Sequence, residues 1–234
     1  MFRNPFTKAL FNNARKSFET KVMNPTSFIY KPQANFSRYN RFFSNLQRPL
    51  YQYLIGANLA VYLAWNSNLI NKRFLYQNFT LSQDTINSGR YHTLLTYSFS
   101  HIHFFHMFFN MFSLYFFGQF TEAAFGPKVL LHLYLAGALL SAVMIHSSNK
   151  QYNNFFPTVG ASGATMAILS FFIFKFPKEK IYLFFLPVPA WIVGLLIFAQ
   201  SVMMYDSSSG ISGSGHLGGF IAGLLYFLAT RGKF

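Results

Sequence analysis

Six apolar segments follow one another along most of the chain, and they predict a helical bundle. Their approximate limits are residues 50–65, 94–120, 127–147, 158–176, 181–205 and 214–230. A hydrocarbon core of about 30 Å needs about 20 helical residues, so the first and last segments are short and need their flanks. Several segments contain Gly, Ser, Thr or His, which favours close helix packing and a polar interior. We therefore predict an all-α membrane protein with six transmembrane helices, formed by residues 50–234.

The part of the chain before the first apolar segment, residues 1–49, is basic. It contains nine Lys or Arg residues and a single acid, Glu19. Phe2, Phe6 and Leu10 recur near helical spacing with cations between them. A basic, acid-poor and amphipathic start is typical of a mitochondrial targeting segment. The alternative is a matrix-side tail that rests on anionic lipid.

Composition places the chain among membrane proteins and excludes several functions. Apolar residues make up 52% of the 234 residues and charged residues only 10%, whereas soluble domains have about a quarter charged residues. The absence of cysteine excludes a disulfide framework, a thiolate zinc site and a cysteine nucleophile. Because the basic charge lies largely outside any foldable basic domain, we expect membrane lipid and no nucleic acid as a partner.

The distribution of basic residues predicts an orientation. With six spans, the N-terminus, the second and fourth connections and the C-terminus lie on one side of the membrane. Fifteen Lys or Arg residues lie on that side and four on the other, so the positive-inside rule places the N-terminus toward the matrix. The second, fourth and sixth spans then all begin on the outer side. His101, Ser162 and His216 lie near those starts, so we expect them at the same depth.

Two of these residues have the properties of a nucleophile and its base. Ser162 lies in the Gly-Ala-Ser-Gly run of residues 160–163, and His216 lies in the Gly-His-Leu-Gly-Gly run of residues 215–219. A serine between glycines can expose its hydroxyl and allow close approach of a substrate carbonyl. Histidine is the usual base that activates a neutral serine. Because polar side chains at membrane depth are costly and usually functional, the pattern indicates a serine hydrolase within a membrane.

A third group of polar residues lies in the second segment. His106 and Asn110 are four residues apart and share one helix face. Side-chain N–H donors that point the same way are what an oxyanion hole requires. His103 is three residues before His106, so a metal site formed by this pair is an alternative. We expect no metal and no cofactor, since the chain has no cysteine and only five acids.

Together these residues make the chain resemble the rhomboid intramembrane serine proteases. That family carries His-x4-His-x3-Asn on its second helix, Gly-x-Ser-Gly on its fourth and His-x-Gly-Gly on its sixth. The matching residues here are His101, His106, Asn110, Gly160, Ser162, Gly163, His216, Gly218 and Gly219, and Gly118 and Glu122 match a Gly-x3-Glu motif after the second helix. The similarity spans about residues 50–230. It is greatest to the mitochondrial branch, the presenilin-associated rhomboid-like proteases.

The resemblance implies a six-helix rhomboid-like bundle in the inner mitochondrial membrane and cleavage of transmembrane protein substrates. Ser162 and His216 would form the catalytic dyad, and Asn110 and His106 would stabilise the oxyanion together with the backbone N–H of Ser162. Structural support would come from His101, Gly160, Gly163, Gly218, Gly219 and Glu122. No acid matches a third triad position, and Glu122 is expected to tie a helix end to nearby backbone.

Two departures from the family pattern concern the amino-terminal half of the chain. The usual Trp-Arg pair of the first loop is replaced by His92 and Thr93. Members of the mitochondrial branch often have an extra helix before the six, and residues 1–49 contain no such apolar run.

Two alternatives to the protease interpretation remain open. Ser162 lies in a run of small residues that could merely permit tight packing, and His216, Gly219 and Gly223 share one helical stripe that brings a neighbouring helix close. The rival function is a non-proteolytic rhomboid-like subunit of an inner-membrane assembly, because a fold does not determine a function. A larger inner-membrane complex is therefore a further candidate partner.

Overall fold

The structure is a computed structural model that describes residues 49–152, 157–183, 186–205 and 212–231. All of these residues belong to one compact unit of the chain, residues 43–234. The predicted basic leader, residues 1–49, lies outside the described residues except for Pro49.

The described residues form mostly α-helices and one small antiparallel sheet. The helices are α1 Leu50–Asn66, α2 Lys72–Phe79, α3 Gln83–Asn87, α4 Thr93–Thr96, α5 Phe104–Ser113, α6 Gln119–Phe125, α7 Pro127–Tyr152, α8 Ser162–Lys175, α9 Ala190–Met203 and α10 Gly213–Ala229, and the strands are β1 Lys180–Leu183 and β2 Leu186–Pro189. A 3-10 turn, Tyr97–Phe99, follows α4, and a π-helical stretch, Leu114–Gly118, joins α5 to α6.

The predicted second segment, residues 94–120, has the wrong start. Its long helix begins only at Phe104, after the four-residue helix α4 and the 3-10 turn Tyr97–Phe99. The physical reason is that this stretch supplies side chains to its neighbours. The indole N–H of Trp65 donates a hydrogen bond to Ser100 Oγ, and the imidazole of His101 accepts one from a backbone N–H in another part of the chain.

The predicted fifth segment, residues 181–205, is not helical throughout, so the all-α prediction needs one correction. Its first part forms the β1–β2 hairpin, in which Ile181 pairs with Val188. Pro187 and Pro189 lack a backbone N–H and disfavour helix in the residues before them. The helix therefore begins only after Pro189.

One described helix is long and apolar enough to cross a membrane by itself. This is the part of α7 from Pro127 to Asn149, with 23 residues and a mean hydropathy of 1.9. The helices α8, α9 and α10 are apolar but shorter. Six crossing helices therefore stay a prediction.

The long connection after α1 is folded and packs on the bundle. It contains α2, α3 and α4, and its last part is held by tyrosine hydroxyls. Tyr97 donates a hydrogen bond to the carbonyl of Ala138 on α7 at 2.9 Å. Tyr134, also on α7, donates to the carbonyl of Ser98 at 3.1 Å and accepts from Asn58 on α1 at 3.1 Å. These buried bonds fix the connection against both helices.

The centre of the fold is formed by α7, α8 and α10, which pack through small residues. A Cβ atom on Gly219 of α10 would collide with the carbonyl oxygen of Gly163 on α8, and one on Gly223 would collide with Ser170. On α7, a Cβ on Gly137 would lie 2.6 Å from the Cβ of Ala167. The backbones therefore approach as closely as glycine allows, which is how membrane helices gain dispersion contacts.

The start of α1 is held by a carboxylate from α6. Glu122 accepts hydrogen bonds from the backbone N–H of Leu50 at 2.8 Å and of Tyr51 at 2.9 Å. The first N–H groups of a helix have no partner within the helix, and a negative charge there also interacts favourably with the helix dipole.

We predict that Gly219→Ala destabilises the fold by about 1–3 kcal/mol, since the added methyl group must push α10 away from the backbone of α8. The matched control is Gly56→Ala on α1, where an added Cβ meets nothing within 4 Å. That variant should be neutral or slightly more stable because alanine favours helix. Thermal unfolding of the two purified variants in the same detergent checks this. Equal stability of both variants would contradict it.

We predict that Glu122→Gln lowers stability by about 1–3 kcal/mol, because a neutral amide has one acceptor oxygen in place of two charged ones. The control is Glu179→Gln, since the Glu179 carboxylate is exposed and makes no side-chain hydrogen bond among the described residues. Denaturant unfolding followed by tryptophan fluorescence should separate the two variants. A loss of the same size in both would show that the helix-end contact is not responsible.

Candidate active site

Ser162 is the first residue of α8, and the chain reaches it through an unusual glycine. Gly160 has a φ of +134°, a conformation that residues with a Cβ rarely adopt. A Cβ at this position would also lie 2.6 Å from Cε1 of His106. Glycine at 160 is therefore required twice, by its backbone conformation and by the imidazole that packs on it. The side chain of Ser162 is half-buried.

The first turn of α8 offers free backbone donors. Among the described residues, no acceptor meets the N–H groups of Ser162, Gly163 or Ala164, and the first bond is Thr165 N–H to the carbonyl of Ala161 at 2.9 Å. Free N–H groups and the positive end of the helix dipole favour negative charge at this point. A developing oxyanion would be stabilised there.

His216 lies on the first turn of α10. The hydroxyl of Ser212 caps this helix by accepting from the N–H of Gly215 at 3.1 Å, and the N–H of His216 donates to the carbonyl of Ser212 at 3.0 Å. The imidazole itself is half-buried. The cap fixes the backbone from which this side chain projects.

The starts of α8 and α10 lie side by side. The two helices run in the same direction, because Gly163 packs against Gly219 and Ser170 lies further along against Gly223. Ser162 immediately precedes Gly163, and His216 is one helical turn before Gly219. A close backbone approach in this interface therefore lies next to both predicted dyad residues.

A serine on α7 contacts both of these helix starts. The hydroxyl of Ser141 donates to the carbonyl of Gly215 at 2.6 Å, and its side chain fills the space above Gly163. A Cβ on Gly218 would lie 2.7 Å from Cα of Ser141. This is why Gly163 and Gly218 carry no side chain: Ser141 occupies the position that each would fill.

The two histidines of the second motif lie next to the Ser162 segment. The rings of His101 and His106 are 5.1 Å apart, centroid to centroid. Nε2 of His101, which is fully buried, accepts from the backbone N–H of Ala161 at 3.3 Å. His101 thus holds the backbone at Ala161, while the ring of His106 packs on Gly160.

Asn110 is fixed from two sides. Its Nδ2 donates to the carbonyl of His106 at 2.8 Å, and its Oδ1 accepts from the hydroxyl of Thr165 on α8 at 3.2 Å. One N–H of the amide group remains, and it is the donor that an oxyanion would need. The side chain is 7% exposed.

The structure brings the predicted site residues of three helices into one region, but one expected bond is not formed. No hydrogen bond among the described residues joins Ser162 to His216. Catalytic hydrogen bonds are often longer without substrate, so the absence of this bond does not exclude a Ser162–His216 dyad. Glu122 lies elsewhere, at the start of α1. Within the described residues, no group of three or more His, Cys, Asp or Glu side chains could hold a metal ion.

Two residues at this site were not identified from the sequence. Ser141 lies four residues after Gly137 on α7, and such spacing of small residues is a signal for close helix packing. Thr165 lies three residues after Ser162, one turn along the same helix. Neither position reveals its hydrogen-bond partner, because both partners are far away in the sequence.

A sequence profile of the rhomboid domain matches residues 88–233 of this chain. The match covers α4 to α10 and therefore every residue of the candidate site. It confirms the family that the three sequence motifs predicted.

Three relatives extend the comparison. RHOMBOID-like protein 12, mitochondrial, of Arabidopsis thaliana is 40% identical over 77% of this chain and 58% of its own length. Rhomboid protein 1, mitochondrial, of Saccharomyces cerevisiae is 30% identical over 79% of this chain and 54% of its own length. The human presenilin-associated rhomboid-like protein, mitochondrial, is 26% identical over 74% of this chain and 46% of its own length.

The chain thus spans about half to three-fifths of the length of these relatives. Their names agree with the mitochondrial location that the sequence predicted. With a matching domain and a relative at 40% identity, the chain belongs to the rhomboid family.

Proposed function

We propose that this protein is an intramembrane serine endopeptidase that cleaves transmembrane protein substrates with a Ser162–His216 dyad. The observation that carries the proposal is the contact of Gly163 with Gly219. It sets the starts of α8 and α10 side by side, with the nucleophile on one first turn and the base on the other. Family membership supports the same activity, since rhomboid proteins include intramembrane serine proteases.

In the proposed reaction His216 accepts the hydroxyl proton of Ser162 while the serine oxygen attacks a substrate carbonyl. The oxyanion is stabilised by the backbone N–H of Ser162, by Asn110 and by His106. Each such donor contributes about 3–4 kcal/mol in comparable sites. The peptide C–N bond then breaks, and His216 gives the proton to the leaving amine. Water, activated by His216, hydrolyses the acyl-enzyme and regenerates Ser162.

We propose further that six helices cross the inner mitochondrial membrane. These are α1, the continuous helix from α5 to α6, α7, α8, α9 and α10. Helices of 14 residues, such as α8 and α9, are shorter than about 20 residues and need their flanking segments to complete a span. The site then opens to the outer side, where water can enter. The substrate helix must unwind locally, because its carbonyls are otherwise hydrogen-bonded.

A second candidate function requires no bond between Ser162 and His216, and none joins these two side chains among the described residues. A rhomboid-like subunit of an inner-membrane assembly would use the same glycine contacts to pack its helices and would not need the dyad. The protease needs the hydroxyl group of Ser162, whereas the assembly subunit does not. The first experiment below separates them.

We predict that Ser162→Ala abolishes cleavage and labelling by a fluorophosphonate probe while the protein stays folded. The exchange removes one hydroxyl, and alanine favours helix. The control is Ser113→Ala on α5, a half-buried serine whose hydroxyl makes no hydrogen bond among the described residues. The readout is in-gel probe fluorescence of the purified proteins, together with processing of inner-membrane proteins in cells.

The protease and the assembly subunit give opposite results in cells. For a protease, Ser162→Ala resembles a deletion and uncut substrate accumulates. For an assembly subunit, Ser162→Ala is silent and only the packing variant Gly219→Ala loses the complex. Unchanged processing and an unlabelled wild-type protein would overturn the proposed activity.

We predict that the first loop faces the intermembrane space and the α8–β1 turn faces the matrix. The chain has no cysteine, so a single introduced cysteine is the only thiol in it that a maleimide can label. Tyr91→Cys and Lys178→Cys suit the test, since both side chains are exposed. A membrane-impermeant maleimide should label Tyr91→Cys in mitoplasts and Lys178→Cys only after detergent. The reverse pattern would invert the orientation.

A further inference from the structure

The amide of Asn110 has an orientation that its surroundings determine. Its Nδ2 is 2.8 Å from the carbonyl oxygen of His106. Rotating the amide by half a turn would place Oδ1 against that carbonyl, and two acceptors would then face each other. Nδ2 therefore faces His106, and Oδ1 faces the hydroxyl of Thr165.

This assignment makes Thr165 the donor. Oδ1 of Asn110 carries no hydrogen, so the hydroxyl of Thr165, 3.2 Å away, must supply it. The carbonyl oxygen of Ser162, on the same helix, is a second acceptor for this hydroxyl at 3.1 Å, so its single proton is shared between the two contacts. Thr165 is 4% exposed, so water does not compete easily for this proton. One buried side chain thus contacts both the peptide of Ser162 and the amide of Asn110.

A planar amide that is held at its oxygen and at one N–H has its second N–H in a fixed direction. Without the bond at Oδ1, the terminal torsion of asparagine is broad, and the amide is free to turn about the remaining contact. The bond also polarises the amide, so that its N–H groups become better donors. Both effects matter only when a negative charge develops near that N–H.

We propose that Thr165 is a positioning residue that holds Asn110 in the orientation of an oxyanion donor. The inference rests on the proposed protease activity. Thr165 does not touch the substrate, and it acts through Asn110. It therefore contributes to the transition state and not to the binding of the substrate helix.

The test compares Thr165→Val, which keeps the shape and loses the hydroxyl, with Thr165→Ser, which keeps the hydroxyl. The substrate is a quenched fluorescent peptide with one transmembrane segment, cleaved by the purified full chain in proteoliposomes. For Thr165→Val we expect kcat to fall about tenfold to hundredfold with KM unchanged. Thr165→Ser should recover most of the loss. The rate of fluorophosphonate labelling should fall in parallel, because its phosphonyl oxygen uses the same donors.

Thr121→Val is the matched control. Thr121 is 1% exposed, and its hydroxyl has no hydrogen-bond partner among the described residues. The loss of a buried threonine hydroxyl as such is therefore measured at a position away from the site. We expect kcat and KM of this variant to equal those of the wild type.

A double-mutant cycle with Asn110→Ala tests whether Thr165 acts through Asn110. In the Asn110→Ala background, Thr165→Val should cause no further loss. Should Thr165→Val not fold, Thr165→Ala takes its place in the cycle.

Three results would overturn the inference: a wild-type kcat in Thr165→Val, an equal loss in Thr165→Ser, or additive losses in the cycle. A wild-type chain without cleavage or probe labelling would instead overturn the proposed activity itself, and the inference with it.

Discussion

The contact on which the rest of this structure depends is the approach of two backbones, at Gly163 on α8 and Gly219 on α10. In a membrane, lipid tails compete with apolar side chains, so helices gain most from close packing and from hydrogen bonds between them. Ser141 adds such a bond, from α7 to the carbonyl of Gly215. The geometry of the candidate site is thus a result of packing, since Ser162 directly precedes Gly163 and His216 lies one helical turn before Gly219.

The second feature of the site is that hydrogen bonds within the protein hold its backbone and side chains in place without a substrate. His101 accepts from the N–H of Ala161, and Thr165 binds the amide of Asn110. A buried polar group without a partner is costly, so each of these bonds favours one arrangement of the side chain. Only Nε2 of His101 is bonded in this way, since its Nδ1 is buried without a hydrogen-bond partner among the described residues. Side chains held in advance need little reorganisation when charge develops, which is the physical basis of electrostatic catalysis.

The sequence predicted the rhomboid family, which the profile match confirms, while the roles of the site residues stay a prediction. The family could be predicted because Ser162 and His216 each lie in a short run of glycines that is visible without a structure. The prediction failed where tertiary contacts determine the start of a helix or the partner of a side chain. Residues 94–103 look like a helix start by composition, but Trp65 and Ala161 bind their side chains. Thr165 was missed for the same reason, since its partner Asn110 lies on another helix.

The position of α10 at the end of the described chain has a consequence for biosynthesis. The ribosome completes α7 and α8 before α10, so the backbone of Gly163 has no Gly219 to pack against until α10 has been made. Until then, Ser162 is already in place while His216 is still being synthesised. The order of translation therefore separates the proposed nucleophile from its base, and a chain that ends before α10 lacks the proposed dyad.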